Sequence, residues 1–190
     1  MGLPGVVVSA PFPLPQELYT PRLRLRRPTL DDVPVVYGYA SDPVVTRYLS
    51  FRTHRDPSEA VGFVQRADAA WNAESGHRPW MIEERATGEA VGAIGMDLDG
   101  CRANVGYVLR RASWRQGIVP EALAAVADLA FAFPAIWRLH AWHDVENPAS
   151  GRVMEKVGMV REACLHRYAV LPNVGPEPRD VYMWARVRRG

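Results

Sequence analysis

The stretch from Val105 to Leu123 holds the residues whose order points most directly to chemistry. An apolar strand ends near Leu109, a polar turn runs from Arg110 to Gln116, and Gly117 stands just before a long apolar helix. Glycine at such a junction lets backbone approach a ligand closely. The first N–H groups of a helix have no intrahelical acceptor, and together with the dipole they suit a pyrophosphate. Glu121, in the same first turn, is favoured by the dipole with or without a ligand. Neither G-x-x-x-x-G-K-[ST] nor G-x-G-x-x-G occurs, so the P-loop and dinucleotide fingerprints are absent. One glycine before one helix is equally consistent with a plain helix start. His143 is a second candidate, because an imidazole with a pKa near 6.5 takes up a proton at neutral pH, although histidines on sheets also serve packing. His140 lies three residues away, an odd separation that sends the two rings to opposite faces of a regular strand and argues against a shared metal. Ser150 follows Asn147-Pro148, where a serine can cap a helix.

The elements that must hold these residues follow from periodicity. Arg22 to Arg27 alternates Arg with Leu23 and Leu25, a strand with one apolar face. Thr29 with Asp32 resembles a capping box, and Val33, Val36, Tyr37 and Ala40 form the apolar side of a helix that Asp42-Pro43 ends. Asp56-Pro57 with Glu59 starts a second helix, predicted to reach about Glu74. Trp80 to Glu84 and Ala90 to Leu98 read as strands joined by Thr87-Gly88-Glu89, and Ala103 to Leu109 as a third. A helix at Ile118 to Phe133, a strand at Trp137 to Asp144, a short helix at Pro148 to Val157 and strands at Met159 to Val170 and Arg179 to Val187 complete the chain. This order predicts the α/β class, with a single mixed sheet flanked by helices.

Composition narrows the class. With 190 residues, 48% hydrophobic and 23% charged, the chain is built like a globular domain, and disorder, collagen and coiled coil are excluded. A net charge of +2 argues against a nucleic-acid partner held by overall charge. Of 23 basic residues only Lys156 is lysine. Guanidinium forks suit carboxylate and phosphate, and a genomic preference for Arg produces the same composition. The apolar run Val6 to Val8 is too short for a signal core or membrane span, and Cys101 and Cys164 make no disulfide framework, so a cytoplasmic protein without a membrane partner is expected. Five prolines between Pro4 and Pro21 read as an extended arm over residues 1–18, leaving 19–190 as one domain.

Taken together, the ordered motifs resemble the GNAT superfamily of acyl-CoA-dependent N-acetyltransferases, and within it the branch that acetylates N-termini of ribosomal proteins and related amines. The resemblance runs from about Leu18 to Val187. It is carried by Thr20-Pro21-Arg22-Leu23-Arg24-Leu25-Arg26, Asp42-Pro43, Thr87-Gly88-Glu89-Ala90-Val91-Gly92, Val105-Gly106-Tyr107, Trp114-Arg115-Gln116-Gly117-Ile118-Val119-Pro120-Glu121-Ala122, Asn147-Pro148-Ala149-Ser150, Glu155-Lys156-Val157-Gly158-Met159 and Arg179-Asp180-Val181. It implies the GNAT fold, with a mostly antiparallel sheet. It also implies that acetyl-CoA is the co-substrate, without a metal, and that the backbone amides of Arg115, Gln116, Gly117, Ile118 and Val119 after Trp114 bind the pyrophosphate. By the same resemblance the strand end at Tyr107, Val108 and Leu109 pairs with pantetheine, Asn147 holds the arm from the other side, and Ser150 donates to the departing sulfur. The Leu109 N–H is the implied oxyanion donor. The family usually has Gly at Arg115 and Ala or Gly at Val119. Arg110, Arg111 and Arg152 are candidates for the ribose phosphate, and each is equally a solvated surface Arg.

Acetyl transfer needs a neutral amine. At pH 7 an α-amine is roughly 10–15% neutral and a lysine well below about 0.1%, so an α-amine needs far less help from a base. By the resemblance, three acid/base positions of the family are empty here: the strand before Gly-Tyr, where Ala103-Asn104-Val105 has no carboxylate, Met154 on the last helix, and the His166 to Ala169 segment. A base must come from Asp97, His143, Glu121 or water. Tyr168 and Tyr182 are possible acceptor contacts. Of the tryptophans, Trp114, Trp137, Trp142 and Trp184 either line a pocket or pack in the core. The leading expectation is direct transfer from acetyl-CoA to a primary amine in a ternary complex, by a monomer or homodimer. A non-catalytic acyl-CoA sensor is the alternative suggested by the empty positions, and a scaffold-only interaction protein is a third.

Overall fold

A computed structural model describes residues 14–73 and 76–189. Eight strands form one sheet: β1 (Glu17–Tyr19), β2 (Leu23–Arg26), β3 (Arg78–Glu84), β4 (Glu89–Asp99), β5 (Arg102–Leu109), β6 (Arg138–Asp144), β7 (Val160–Val170) and β8 (Pro178–Val187). Their spatial order is β1-β2-β3-β4-β5-β6-β8-β7, antiparallel at every junction except β5–β6, which is parallel. The mixed, mostly antiparallel sheet is thus as expected.

Five helices accompany it among the described residues: α1 (Val33–Ala40), α2 (Pro43–Thr46), α3 (Pro57–Asn72), α4 (Ile118–Ala132) and α5 (Pro148–Lys156). α4 crosses β2, β4 and β5, and α5 covers β6 and β8. Beneath α4, Ile94, Met96, Val105, Leu123, Val126 and Leu139 form the main core. On the other side Val36, Tyr39, Val64 and Met81 from α1, α3 and β3 bury a smaller cluster that Val108 joins.

The predicted boundaries agree with the strands and long helices to within one or two residues, and capping explains why. Asp56 accepts the Ser58 N–H at 2.8 Å while Glu59 reaches back to the Asp56 N–H at 3.1 Å. Asp42 ends α1 as read, but it also caps α2 by accepting the Val44 N–H at 2.8 Å, a four-residue helix that periodicity could not reveal. The predicted end of α3 near Glu74 lies outside the described residues, as do residues 1–13 of the proline-rich segment. Glu17–Tyr19 pair with β2 as an edge strand, where a proline-bounded segment is tolerated. Both cysteines are free and exposed. Among the described residues no helix is long and apolar enough to cross a membrane.

Candidate active site

The parallel junction is incomplete. β5 and β6 pair only at Arg102–Arg138, Ala103–Leu139 and Asn104–His140, and past these residues the strands part. The side of β5 that faces this gap follows from two hydrogen bonds. Arg110 donates its N–H to Val91 on β4 at 2.9 Å, so even-numbered positions bond β4. Trp137 donates to the Cys101 carbonyl at 2.9 Å, so odd-numbered positions turn towards β6. The amides of Val105, Tyr107 and Leu109 therefore face a wedge without a partner strand. The Leu109 carbonyl already accepts the Trp114 Nε1–H at 2.9 Å.

After β5 the chain turns through a short 3-10 turn and two left-handed residues, Arg115 (φ 63) and Gly117 (φ 76), and then enters α4. Among the described residues the N–H groups of Arg115, Gln116, Gly117, Ile118 and Val119 have no hydrogen-bond acceptor. Alternating left-handed residues gather successive amides into an anion-binding concavity, and the α4 dipole adds to it. Arg115 holds a conformation that costs a non-glycine residue about 1–2 kcal/mol. The Gly that the resemblance implies at this position would avoid that cost. The loop is tied from outside by Arg22, which donates to the Gln116 carbonyl at 3.1 Å and to Glu121 at 2.6 Å. Thr20 also donates to Glu121. Burial pushes the Glu121 carboxyl up, but Thr20 and Arg22 outweigh it and hold it below the usual carboxylate range. A carboxylate so saturated and held ionised is a clamp rather than a base.

On the far side of the wedge α5 begins. Asn147 caps it by accepting the Ser150 N–H at 3.4 Å, which leaves the Ser150 hydroxyl free to point elsewhere. It meets Tyr107: the two hydroxyls lie 2.8 Å apart, and the phenol also reaches the Ser150 carbonyl at 3.2 Å. This pair spans the gap from β5 to α5. Burial raises the Tyr107 pKa, opposed by the Ser150 hydrogen bond, so the phenol stays protonated at neutral pH. The Tyr107 side chain was not singled out from sequence, where only its backbone drew attention; its parity with Leu109 on the strand was the available signal.

His143 is placed differently from a base. It is buried, Nδ1 bonds the Asp144 carbonyl at 2.8 Å, and Nε2 accepts the Trp184 Nε1–H at 3.0 Å. Burial lowers its pKa, against the opposing effect of Asp144. Both nitrogens are thus engaged, and a Cβ on Gly151 would sit 2.8 Å from Nε2, so α5 rests directly on this ring. His140 turns to the opposite sheet face, as its spacing required. Tyr182 lies on the His143 side under the Arg161 guanidinium, 4.5 Å from its ring centre, and Tyr168 meets Trp142 on the His140 side, with ring centres 5.8 Å apart.

Arg110 is committed to Glu89 and Ser113, whereas Arg111, Arg115 and Arg152 are exposed and have no partner among the described residues. The end of β6 is fixed by Asp144, whose buried carboxylate accepts from Arg179 Nε at 2.8 Å and Nη2 at 3.1 Å. Cys164, His166 and Asp180 bring ligand atoms within 4.8 Å of one another on β7 and β8. There Asp180 already accepts the Arg167 N–H at 2.9 Å and caps the β7 bulge.

Known proteins are similar to this chain in sequence and fold. The acetyltransferase (GNAT) domain family matches residues 22–160. The uncharacterized N-acetyltransferase YoaA of Bacillus subtilis is 31% identical over 180 residues, spanning 93% of this chain and 99% of YoaA. A GNAT-family acetyltransferase from Bacillus anthracis superposes with a TM-score of 0.79 at 25% identity, covering 90% of this chain and 98% of that one. RimL, a ribosomal L7/L12 α-N-protein acetyltransferase in complex with coenzyme A, shares the fold at a TM-score of 0.76 and 20% identity, over 88% of this chain and 95% of RimL. The parted strands, the amide-lined turn and this family match lead to one conclusion: the chain belongs to the GNAT family and is an acetyl-CoA-dependent acetyltransferase.

Proposed function

We propose that the protein transfers the acetyl group of acetyl-CoA to a primary amine by direct attack in a ternary complex, without an acyl-enzyme. The observation that carries this is the run of five unpartnered amides, Arg115 to Val119, at the mouth of a wedge whose β5 wall also offers free amides. The pyrophosphate lies on the turn, and the pantetheine arm runs along Tyr107 to Leu109 as a temporary strand. Asn147 lines the other wall. Exposed Arg111 and Arg152 are available to the ribose phosphate, and Arg115 to the pyrophosphate. The odd-numbered amides of β5, Leu109 with Tyr107, polarise the thioester carbonyl.

The amine nitrogen attacks that carbonyl carbon, the C–N bond forms and the C–S bond breaks. The leaving thiolate is met by the Ser150 hydroxyl, which Tyr107 orients from across the gap. His143 holds α5 in place and moves no proton. Because Ala103-Asn104-Val105 offers no carboxylate beside the wedge, an α-amine, which is partly neutral at pH 7, is the preferred acceptor. The shared fold with RimL supports the same preference. Two free, exposed thiols fit a reducing cytoplasm.

Calorimetry with acetyl-CoA, followed by thiol release across an amine panel, tests the proposal. Micromolar binding and turnover that is faster on peptide α-amines than on a lysine side chain are expected; absence of binding at millimolar acetyl-CoA refutes it. Tight binding with no release from any amine favours the sensor reading that the empty acid/base positions suggest.

A further inference from the structure

The sheet face opposite α4 and α5 carries a row of polar side chains at the apex of the wedge. Asp97, Asn104 and His140 stand side by side on β4, β5 and β6, since Asp97 pairs with Asn104 and Asn104 with His140. They line a groove of about 250 Å³ whose aromatic wall is Trp142 against Tyr168, edge to face at 73°. Two residues further along β5 on this face is Gly106, where a Cβ would meet nothing within 4 Å. The groove is therefore open towards Tyr107 and the gap.

The charges here are unequally satisfied. Arg102 is bound to Asp99 and Arg138 to Glu162, which leaves Asp97 as a half-buried carboxylate without an ion-pair partner among the described residues. His77, stacked over Gly95 on the same face, is the titratable neighbour that Asp97 influences. His140 lines the groove with Nδ1 buried and making no hydrogen bond of good geometry, which leaves Nε2 as the nitrogen to face the groove. Burial lowers its pKa, helped by Arg138 and Arg102 and opposed by the Ala103 carbonyl and Asp99, so the ring is neutral and able to accept a proton at pH 7.

We propose that this groove serves the acceptor: a primary ammonium stands at its Tyr107 end, Asp97 draws the cation in past Trp142 and Tyr168, and His140 accepts its proton through a chain of waters in the groove. More than one water is needed because three residues of strand, about 10 Å, separate the His140 level from Tyr107. Aromatic faces suit an ammonium or its apolar neighbour atoms, and a single unpaired carboxylate selects a cation. The steps balance. The ammonium gives one proton to His140, the neutral amine attacks the thioester, and the second nitrogen proton leaves with the thiolate as free thiol. The inference rests on the acetyl-CoA reading above and supplies the proton acceptor that reading lacks.

The test uses the full chain with phenethylamine and the tripeptide Ala-Ala-Ala as acceptors. Thiol release is followed from pH 5 to 9, with calorimetry of acetyl-CoA and of each amine added to the CoA complex. Asp97→Asn is expected to raise the KM for amine at least about tenfold with kcat little changed, the loss of one charge contact. His140→Gln is expected to lower kcat by about a hundredfold or more and to remove the acidic limb of its pH profile. Both variants keep the wild-type affinity for acetyl-CoA, which separates this effect from misfolding. In the wild-type protein, the NMR titration of the His140 ring shifts when amine is added to the CoA complex. Wild-type KM, kcat and pH profile in both variants, an unmoved His140 titration, or a CoA complex that takes neither amine overturns the acceptor site while leaving the acetyl-CoA reading intact. Failure to bind acetyl-CoA at all overturns both.

Discussion

Placing a carboxylate at residue 117 attacks the anion site at its centre. Gly117 has φ 76, and a Cβ there would lie 3.4 Å from Arg22, an ordinary contact. Sterically, then, the cost of any L-residue is conformational, about 1–2 kcal/mol. Gly117→Glu adds a charge that Arg22 does not neutralise, since that guanidinium is committed to Glu121 and the Gln116 carbonyl. A carboxylate about 5 Å from a phosphate costs about 3 kcal/mol at an effective dielectric of about 20, which weakens binding by roughly two hundredfold. In a thermal-shift assay at a hundred times the wild-type Kd, acetyl-CoA stabilises the wild-type protein by about 2.7 kcal/mol. For a domain of this size that corresponds to a rise in Tm of about 5–11 °C. The Glu variant at the same concentration keeps less than about 1 °C of it. Gly117→Ala is the control, carrying the strain without the charge: its free form melts a few degrees lower, but it keeps most of the ligand-induced rise. A Glu variant that binds as tightly as the Ala variant refutes the assignment of the turn amides to the pyrophosphate.

Three further outcomes test the supports of the site. Tyr107→Phe and Ser150→Ala are each expected to lower kcat about tenfold, and the double variant no further than the worse single one, if the two hydroxyls act as a unit; additive losses in steady-state kinetics separate them. Gly151→Ala drives a methyl into the His143 ring, 2.8 Å from Nε2, and is expected to cost about 1–3 kcal/mol in urea unfolding. In a His143→Ala background, itself less stable, the same Gly151→Ala change costs little, and a Gly151→Ala protein of wild-type stability contradicts the packing role. Burial pushes the Asp144 carboxyl up, but Arg179 and the Glu146 N–H outweigh it and hold its pKa below the ordinary value. A depressed folded-state pKa contributes stability above the unfolded value near 4 that is lost as pH falls through the folded value. Arg179→Gln leaves the carboxylate unpaired, is expected to cost about 3 kcal/mol at pH 7, and makes the protein relatively less sensitive to acid; equal acid limbs in the two unfolding profiles would argue against the pair.

Much of this architecture could be read along the chain because its signals are local. Alternating Leu23 and Leu25, the Asp56-Pro57-Glu59 cap, the Thr87-Gly88-Glu89 turn and Gly117 before an apolar run each depend on neighbours within a few residues, and each element formed where those signals placed it. The short strand Glu17–Tyr19 and the one-turn helix Pro43–Thr46 carry no period long enough to register, and their stability comes from β2 and from the Asp42 cap. Parity along a strand assigns a face, and it separated His140 from His143 correctly. What lies opposite each ring is another matter.

Sequence by itself determined the elements, the family and the turn whose amides are left free, since all three are written in residues close together in the chain. Only tertiary structure decided that Glu121 is consumed by Thr20 and Arg22 about a hundred positions away, that Trp184 occupies the lone pair of His143, and that Tyr107 meets Ser150 across the gap. It also set Asp97, Asn104 and His140 in one row by strand register. The reason is physical: a side chain's availability for chemistry depends on which distant groups compete for its hydrogen bonds and its solvent, and no local pattern encodes that competition.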